Sequence, residues 1–366
     1  MLAIHKLADS GRLHAAAGVY LSKTIMLSTI IFSLALEVAT AQPRAGKGLE
    51  LFPRADVQAA FVDVAVATLW TDPSKPRSID EPALTNPVEI QTWLDSMNVS
   101  QFRDLTDHSR TQTQALYGAP VNILSYQDGW YEVAVPGEPT PKNTLGYPGW
   151  IPANQVSVDA SYGKLQSSKP FATVNKVPTA ALYRDARLEL KYVELSYDTR
   201  LPVLSQTGGV VQVALPSGGS AYLSTSDVTV YDSDKAIPYP TKEDLVSTAK
   251  MFLGRPYLWG GMSGFAFDCS GFTHTIYHAH GITIPRDSDA QADFTGHGTH
   301  VSKEDLQPAD LIFYASNQSD PSTIYHVAMY VGNGKMAEAY DAGTPVRITP
   351  VRLEEDYWGA ERFLME

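Results

Sequence analysis

Tyr257-Leu-Trp-Gly-Gly-Met-Ser-Gly-Phe-Ala-Phe-Asp-Cys-Ser-Gly-Phe-Thr273 holds the only cysteine of the 366-residue chain, Cys269. A lone cysteine makes no internal disulfide, so its value lies in packing or in reactivity. The local sequence favours reactivity. Residues 263–268 read as a loop, and after Cys269 the apolar residues Phe272, Ile276 and Ala279 recur at helical spacing. This puts Asp268 near a helix cap and Cys269 in the first turn. There the helix dipole and free backbone amides are expected to lower the thiol pKa and favour the thiolate that attacks carbonyls. A buried structural cysteine is the alternative, and the polar Asp-Cys-Ser-Gly setting argues against it.

His326 is the natural base. Thr323-Ile-Tyr-His-Val-Ala-Met-Tyr-Val-Gly332 reads as a strand ending at the turn Gly332-Asn-Gly334, with Lys335-Met-Ala-Glu-Ala-Tyr340 as its hairpin partner. A cysteine nucleophile needs an imidazole to share its proton and a third polar group to hold the ring. Glu338, across the turn from His326, supplies the third group. A strand histidine alone reads as satisfied core; the pairing with Cys269 makes it a catalyst.

From about Pro238 to Glu366 the chain resembles an NlpC/P60 peptidase domain, on the motifs Tyr257-Leu-Trp-Gly-Gly, Phe267-Asp-Cys-Ser-Gly-Phe, Ile284-Pro-Arg-Asp-Ser, Leu306-Gln-Pro-Ala-Asp-Leu-Ile-Phe and His326-Val-Ala-Met-Tyr-Val-Gly-Asn-Gly. The resemblance extends upstream to the YkfC-type γ-D-glutamyl-L-diamino acid endopeptidases, in which two bacterial SH3 domains precede the catalytic domain. It implies an α+β chain: a papain-like domain, with its cysteine on a helix and its histidine on a sheet, preceded by two small all-β SH3-like barrels. The family's third catalytic position is usually histidine, and Glu338 stands there instead. A carboxylate also orients imidazole and stabilises imidazolium, so the departure is compatible with activity.

The upstream half repeats itself. Ala67-Thr-Leu-Trp-Thr-Asp recurs as Ala180-Ala-Leu-Tyr-Arg-Asp, and Tyr117-Gly-Ala-Pro-Val-Asn-Ile-Leu-Ser as Tyr197-Asp-Thr-Arg-Leu-Pro-Val-Leu-Ser. Tyr131-Glu-Val-Ala-Val-Pro then matches Val211-Gln-Val-Ala-Leu-Pro, and Gly149-Trp-Ile matches Ala221-Tyr-Leu. Short alternating strands separated by turn residues point to two copies of one SH3-like unit. The expected domains are 55–158, 171–232 and 238–366. The first copy carries an insertion, residues 73–110, in which a helix is read over residues 86–97 with Val88, Ile90, Trp93 and Leu94 on its apolar face. Residues 159–170 and 233–241 read as polar linkers. Asn98-Val-Ser and Asn317-Gln-Ser are short glycosylation patterns of a kind that recurs by chance.

Residues 1–41 read as a leader. Lys23 precedes a short apolar run from Thr24 to Leu36, and Ala39-Thr-Ala41 before Gln42 fits a signal-peptidase site. The run is short for a membrane span. Export is therefore expected, and a single thiol suits an oxidising compartment. With 44% hydrophobic and 19% charged residues there is material for several cores. A net charge of −12 argues against nucleic acid, which is bound by clustered Lys and Arg.

In the resembling enzymes the first SH3 domain forms one wall of the active site and supplies a tyrosine that meets the substrate's free amino terminus. The matching residue is Tyr147, and Gln112 aligns with a glutamate that binds the same amine. Asp268 and Ser270 beside the nucleophile, and Asp287 and Ser288 in Ile284-Pro-Arg-Asp-Ser, match further substrate-contacting positions. Asp268 also reads as a helix cap, and Asp287-Ser288 as a turn. The implied reaction is hydrolysis of the γ-D-glutamyl–diamino acid bond in murein peptides with a free N-terminal L-Ala. Cys269 attacks, His326 moves the proton, Glu338 orients the ring, and the Cys269 amide with the Tyr257 hydroxyl stabilises the oxyanion. No cofactor is expected, and the SH3-like domains suggest cell-wall polymer as a further partner. A thiol acyltransferase would use the same Cys and His. A non-catalytic wall-binding protein with a degenerate peptidase domain is the alternative of a different class. A metal site at His274 and His278, or at His297 and His300, lacks a completing ligand at a recognised spacing.

Overall fold

The structure is a computed structural model and describes residues 50–51, 58–292 and 298–365. The leader expected over 1–41, the domain start at residue 55 and His297 lie outside the described residues.

The repeat read in the sequence is a repeat of topology. Counted from Gln58–Val62, the first sheet runs through Val66–Trp70, Thr111–Leu116, Pro120–Gln127, Trp130–Val135, Tyr147–Pro152 and Val156–Ser157. Counted from Phe171–Val174, the second runs through Thr179–Tyr183, Lys191–Ser196, Arg200–Thr207, Val210–Ala214, Ser220–Ser224 and Val228–Tyr231. Both place their strands side by side in the order third, second, sixth, fifth, fourth, first, seventh. Register repeats too: Trp70 pairs with Trp150 as Tyr183 pairs with Tyr222. The irregularities that bend each sheet fall at matching places, Leu69/Trp70 and Leu182/Tyr183, then Ile123/Ser125 and Val203/Ser205. Bulges of this kind curl a short sheet until its inner face closes on itself. That face holds Val62, Leu69, Val121, Ile123 and Val133 in the first unit, and Val174, Leu182, Leu201, Val211 and Leu223 in the second.

Two segments differ from the expectation. The insertion holds a 3-10 turn, Ser78–Ala83, and two helices, Ile90–Ser96 and Val99–Asp107. The second helix starts at Asn98, whose side chain accepts from the Gln101 amide while the Gln101 side chain returns to the Asn98 amide. The pattern read as a sequon is thus also a capping box. Residues 159–170, read as a linker, contain the helix Ala160–Ser168, capped by the Asp159 carboxylate. Its Tyr162 is buried edge-on to Phe61 at 4.9 Å, so the segment packs against the first barrel.

In the C-terminal unit one sheet runs in the spatial order Thr299–His300, Tyr357–Arg362, Leu311–Ala315, Ile324–Gly332, Lys335–Glu338, Arg347–Pro350. The helices Lys242–Met251 and Cys269–Ala279 lie against it. Phe272 and Ile276 of the second helix share a core with Val327 and Met329 of the sheet, as a helical spacing of apolar residues facing an alternating strand requires. Among the described residues no helix is long and apolar enough to cross a membrane.

Candidate active site

Cys269 is the first residue of the helix Cys269–Ala279, and Asp268 is its cap, accepting from the Gly271 amide at 2.7 Å. The glycine at 271 is required by packing: a Cβ there would stand 2.0 Å from the Gly261 carbonyl oxygen. The loop and the helix therefore close on each other and press Cys269 against the sheet. Its sulfur accepts from the backbone amides of Val327 and Ser270. The bond to Val327 brings the thiol to the strand residue next to His326. The expected low thiol pKa is not what the fold provides. Burial pushes the thiol up to about 12, and the Asp268 carboxylate adds to the effect, so desolvation outweighs the helix terminus.

His326 is buried in Ile324–Gly332, and its Nε2 lies 3.0 Å from Glu338 Oε2. The hairpin that the Gly332-Asn-Gly334 turn closes puts the two side chains on one face. His326 is boxed in by the rings of Tyr314 at 5.6 Å and Tyr340 at 5.2 Å. Glu338 is fully buried, and its other oxygen accepts from Arg347 at 2.9 and 3.1 Å and from Thr349 at 3.2 Å. Arg352 reaches Oε2 at 3.3 Å. Burial alone would raise this carboxyl, but the bond to His326 and the charges of Arg352 and Arg347 hold it down at about 2. Glu338 is therefore ionised and purely an acceptor, which fixes the proton of His326 on Nε2 and leaves Nδ1 as the basic nitrogen. Desolvation lowers the His326 pKa against the pull of Glu338.

Tyr257 is buried, and its hydroxyl pKa is driven well up by desolvation and by neighbouring Cys269, so it stays a donor beside the sulfur. Asp268 does more than cap. It receives the Gly260 amide at 2.8 Å and two nitrogens of fully buried Arg286 at 2.7 and 3.0 Å. Arg286 also donates to Ser270 Oγ at 2.9 Å and to Thr113 Oγ1 at 2.9 Å. Thr113 in turn donates to Glu138 at 2.6 Å. Asp268 and Ser270 are thus bound into a network that ties the nucleophile helix to the first barrel. Burial raises the Glu138 carboxyl to about 8 against the attraction of Arg286.

Tyr147, Gln112 and Asp287 meet at one point. The Tyr147 hydroxyl donates to Asp287 at 2.9 Å and stands 3.4 Å from Gln112 Oε1. The Lys142 ammonium sits on the same group, bonded to the Tyr147 hydroxyl and 2.9 Å from Asp287 Oδ2. Ser288 begins the short helix Ser288–Ala292 that follows. Beside this cluster lies a cavity of about 480 Å³ between Pro139–Pro141 and the segment holding Pro285, Asp289 and Ala290. Another cavity, of about 370 Å³, lies behind the Arg286 network, lined by Tyr117, Glu138, Arg200, His274 and His278 among others. None of Cys269, His326 and Glu338 lines it.

His274 and His278 are each engaged with another partner. His274 Nδ1 lies 2.7 Å from the Ile284 carbonyl oxygen, and His278 Nδ1 lies 2.5 Å from Asp198. Among the described residues no three His, Cys, Asp or Glu side chains are grouped to hold a metal. Four residues of the site were not singled out from the sequence: Arg286, Glu138, Lys142 and Arg347. Arg286 lay in view, inside Ile284-Pro-Arg-Asp-Ser. Nothing in the spacing of Glu138 or Lys142 marks them, because a loop fold alone carries them to the site.

Residues 254–365 match the NlpC/P60 family, and residues 176–231 match the YKFC SH3b2 domain. A Bacillus cereus protein named gamma-D-glutamyl-L-lysine dipeptidyl-peptidase is 46% identical over 83% of this chain and 91% of its own length. A Bacillus subtilis protein of the same name is 37% identical over 78% of this chain and 90% of its own. The crystal structure of an NlpC/P60 family protein from Bacillus cereus superposes with a TM-score of 0.78 at 45% identity, covering 84% of this chain and all of that one. Shared architecture and identity over nearly the full length of such relatives mean that the chain belongs to the NlpC/P60 family of cysteine peptidases.

Proposed function

We propose that this chain releases L-Ala-γ-D-Glu from murein peptides by hydrolysing the γ-D-glutamyl–diamino acid bond. The observation that carries the reading is the hydrogen bond from the Val327 amide to the Cys269 sulfur, next in the strand to His326, whose ring is held by ionised Glu338. It agrees with the names of the two Bacillus relatives, since a dipeptidyl-peptidase counts two residues from a free amino end.

In this reaction His326 Nδ1 takes the thiol proton as the sulfur of Cys269 forms a bond to the γ-carbonyl carbon. Glu338 stabilises the resulting imidazolium. The developing oxyanion takes hydrogen bonds from the Cys269 amide, free at the start of its helix, and from the Tyr257 hydroxyl. The tetrahedral intermediate collapses as the C–N bond breaks and imidazolium protonates the leaving amine. Water, deprotonated by the same nitrogen, then attacks the thioester and frees the acid. The Tyr147–Asp287 pair supplies acceptors for the terminal ammonium, and a carboxylate there disfavours peptides whose amine is acylated. Murein stems still attached to the glycan are capped in this way, so released fragments are the substrate. The leader-like segment before Gln42 supports action outside the cytoplasm, and the SH3-like domains support retention on wall polymer.

The test is mass-spectrometric detection of products when the purified protein and its Cys269→Ala variant meet L-Ala-γ-D-Glu-L-Lys, the diaminopimelate analogue and their N-acetyl forms. Release of L-Ala-D-Glu by the parent alone, from free-amine peptides alone, is expected. Equal cleavage of acetylated peptides would remove the free-amine requirement, and no release at all would remove the reaction.

A further inference from the structure

We infer that Lys142 is a tethered competitor for the subsite that takes the substrate's terminal ammonium, so that its displacement sets the affinity of this chain for free-amine peptides. The inference rests on the amine subsite proposed above and adds the residue that governs it.

The cradle around Tyr147 already holds a primary ammonium, and that ammonium belongs to the protein. Lys142 Nζ is bonded to the Tyr147 hydroxyl, stands 2.9 Å from Asp287 Oδ2 and lies 4.3 Å from the centre of the Tyr147 ring. Hydroxyl, carboxylate and ring face are what a ligand ammonium would use. Besides Arg286, which is bound to Asp268, the point offers one carboxylate to a further cation. Gln112, the third side chain, is neutral, and Asp268 is taken up by the bidentate bond from Arg286. Asp287 is then the single free carboxylate of the cluster, shared by Lys142 or by a ligand.

Lys142 is built to leave. It sits in the connection between Trp130–Val135 and Tyr147–Pro152, and its side chain is 45% exposed against 26% for Asp287. Both ends of that connection are fastened: the Pro139 carbonyl accepts from the Arg286 amide at 3.0 Å, and the Leu145 carbonyl from Asn122 at 3.2 Å. Lys142 can therefore swing out to water without unfolding the loop. A long, strongly hydrated side chain regains rotamer freedom when it does so, and this lowers the cost of exchange. A ligand that must first displace an internal group binds more weakly by the fraction of time the site is free.

The experiment titrates L-Ala-γ-D-Glu and N-acetyl-L-Ala-γ-D-Glu into three full-length proteins carrying Cys269→Ala: the parent, Lys142→Met and Lys142→Arg. The free-amine dipeptide should bind Lys142→Met about tenfold more tightly than the parent, with Lys142→Arg staying near the parent and the acetylated dipeptide gaining nothing. In proteins with Cys269 intact, the KM for L-Ala-γ-D-Glu-L-Lys should fall by a similar factor in Lys142→Met. Unchanged or weaker binding by Lys142→Met overturns the inference even where the parent cleaves the peptide, because Lys142 would then only prop Asp287 in place. Tighter dipeptide binding without cleavage by any intact protein keeps the inference and removes the reaction. Failure of all three proteins to bind the free-amine dipeptide overturns both.

Discussion

His326 Nε2 and Glu338 Oε2 stand 3.0 Å apart, and the second oxygen of Glu338 is held by Arg347 and Thr349. The carboxylate that replaces the family's usual histidine is thus anchored from behind by groups that a histidine would not satisfy. Glu338→Gln keeps the shape, but its amide presents a donor as readily as an acceptor, which permits the wrong tautomer of His326. It should lower kcat by roughly 10³- to 10⁴-fold with little change in KM, measured by steady-state hydrolysis of L-Ala-γ-D-Glu-L-Lys. Glu338→His should not match the parent. It removes the partner of Arg347 and Arg352 and should lower the thermal midpoint as well as the rate. A Glu338→His protein as active and stable as the parent would show that the arginines are indifferent to the exchange.

The resting site holds a neutral thiol and a neutral imidazole, because burial moves the Cys269 pKa up to about 12 and the His326 pKa down. Alkylation by iodoacetamide should therefore be slow near pH 7 and climb without a plateau through pH 9. A thiolate–imidazolium pair would instead give a rate that is flat between about pH 5 and pH 8. The flat profile would mean that the site opens to water far more than the structure shows.

The sequence exposed the parts of this site that obey local rules. Asp268 and Cys269 stand where cap preference and helical spacing put them, and His326 and Glu338 face each other because a tight glycine turn makes hairpin register predictable. The two barrels were legible because the repeat kept the paired aromatic Trp70 and Trp150 as Tyr183 and Tyr222. What stayed hidden depends on contacts between distant segments. Helix Ala160–Ser168 owes its packing to Tyr162 on Phe61, so its polar composition concealed it. Arg286 meets Thr113 and Lys142 meets Asp287 across domain boundaries, and Glu138 meets Thr113 from 25 residues away. No short window contains both halves of such a pair. The thiol pKa was misjudged for a related reason, since the helix end is visible in sequence and the depth of burial is not.

Arg286 is fully buried and donates twice to the carboxylate of Asp268, the residue before the nucleophile. Arg286→Met removes one partner of a buried pair and leaves the Asp268 carboxylate without its counter-ion. The expected cost is about 3–5 kcal/mol of unfolding free energy, read from denaturant midpoints. Arg286→Lys should recover part of that and not all, because a single ammonium replaces a planar fork that also reaches Ser270 and Thr113. A loss below about 1 kcal/mol for Arg286→Met would mean that water replaces the guanidinium.

Glu138 gives a stability signature that is independent of turnover. Burial lifts its carboxyl to about 8 from the 4.5 of the free side chain, so between those values the folded protein keeps a proton that the unfolded chain releases. The unfolded state binds fewer protons across this window, and stability falls as pH rises through it. The contribution is fully present below about pH 4.5 and is lost by about pH 8, where the folded carboxyl also ionises. Glu138→Gln keeps an uncharged group that still accepts from Thr113, and it has nothing to titrate. The stability of parent minus variant, from denaturant unfolding at a series of pH values, should therefore decline by an amount on the order of a few kcal/mol between pH 4.5 and pH 8 and be flat above. A difference that rises with pH would place an ionised Glu138 in partnership with Arg286, and the proton would have to be sought elsewhere in the network.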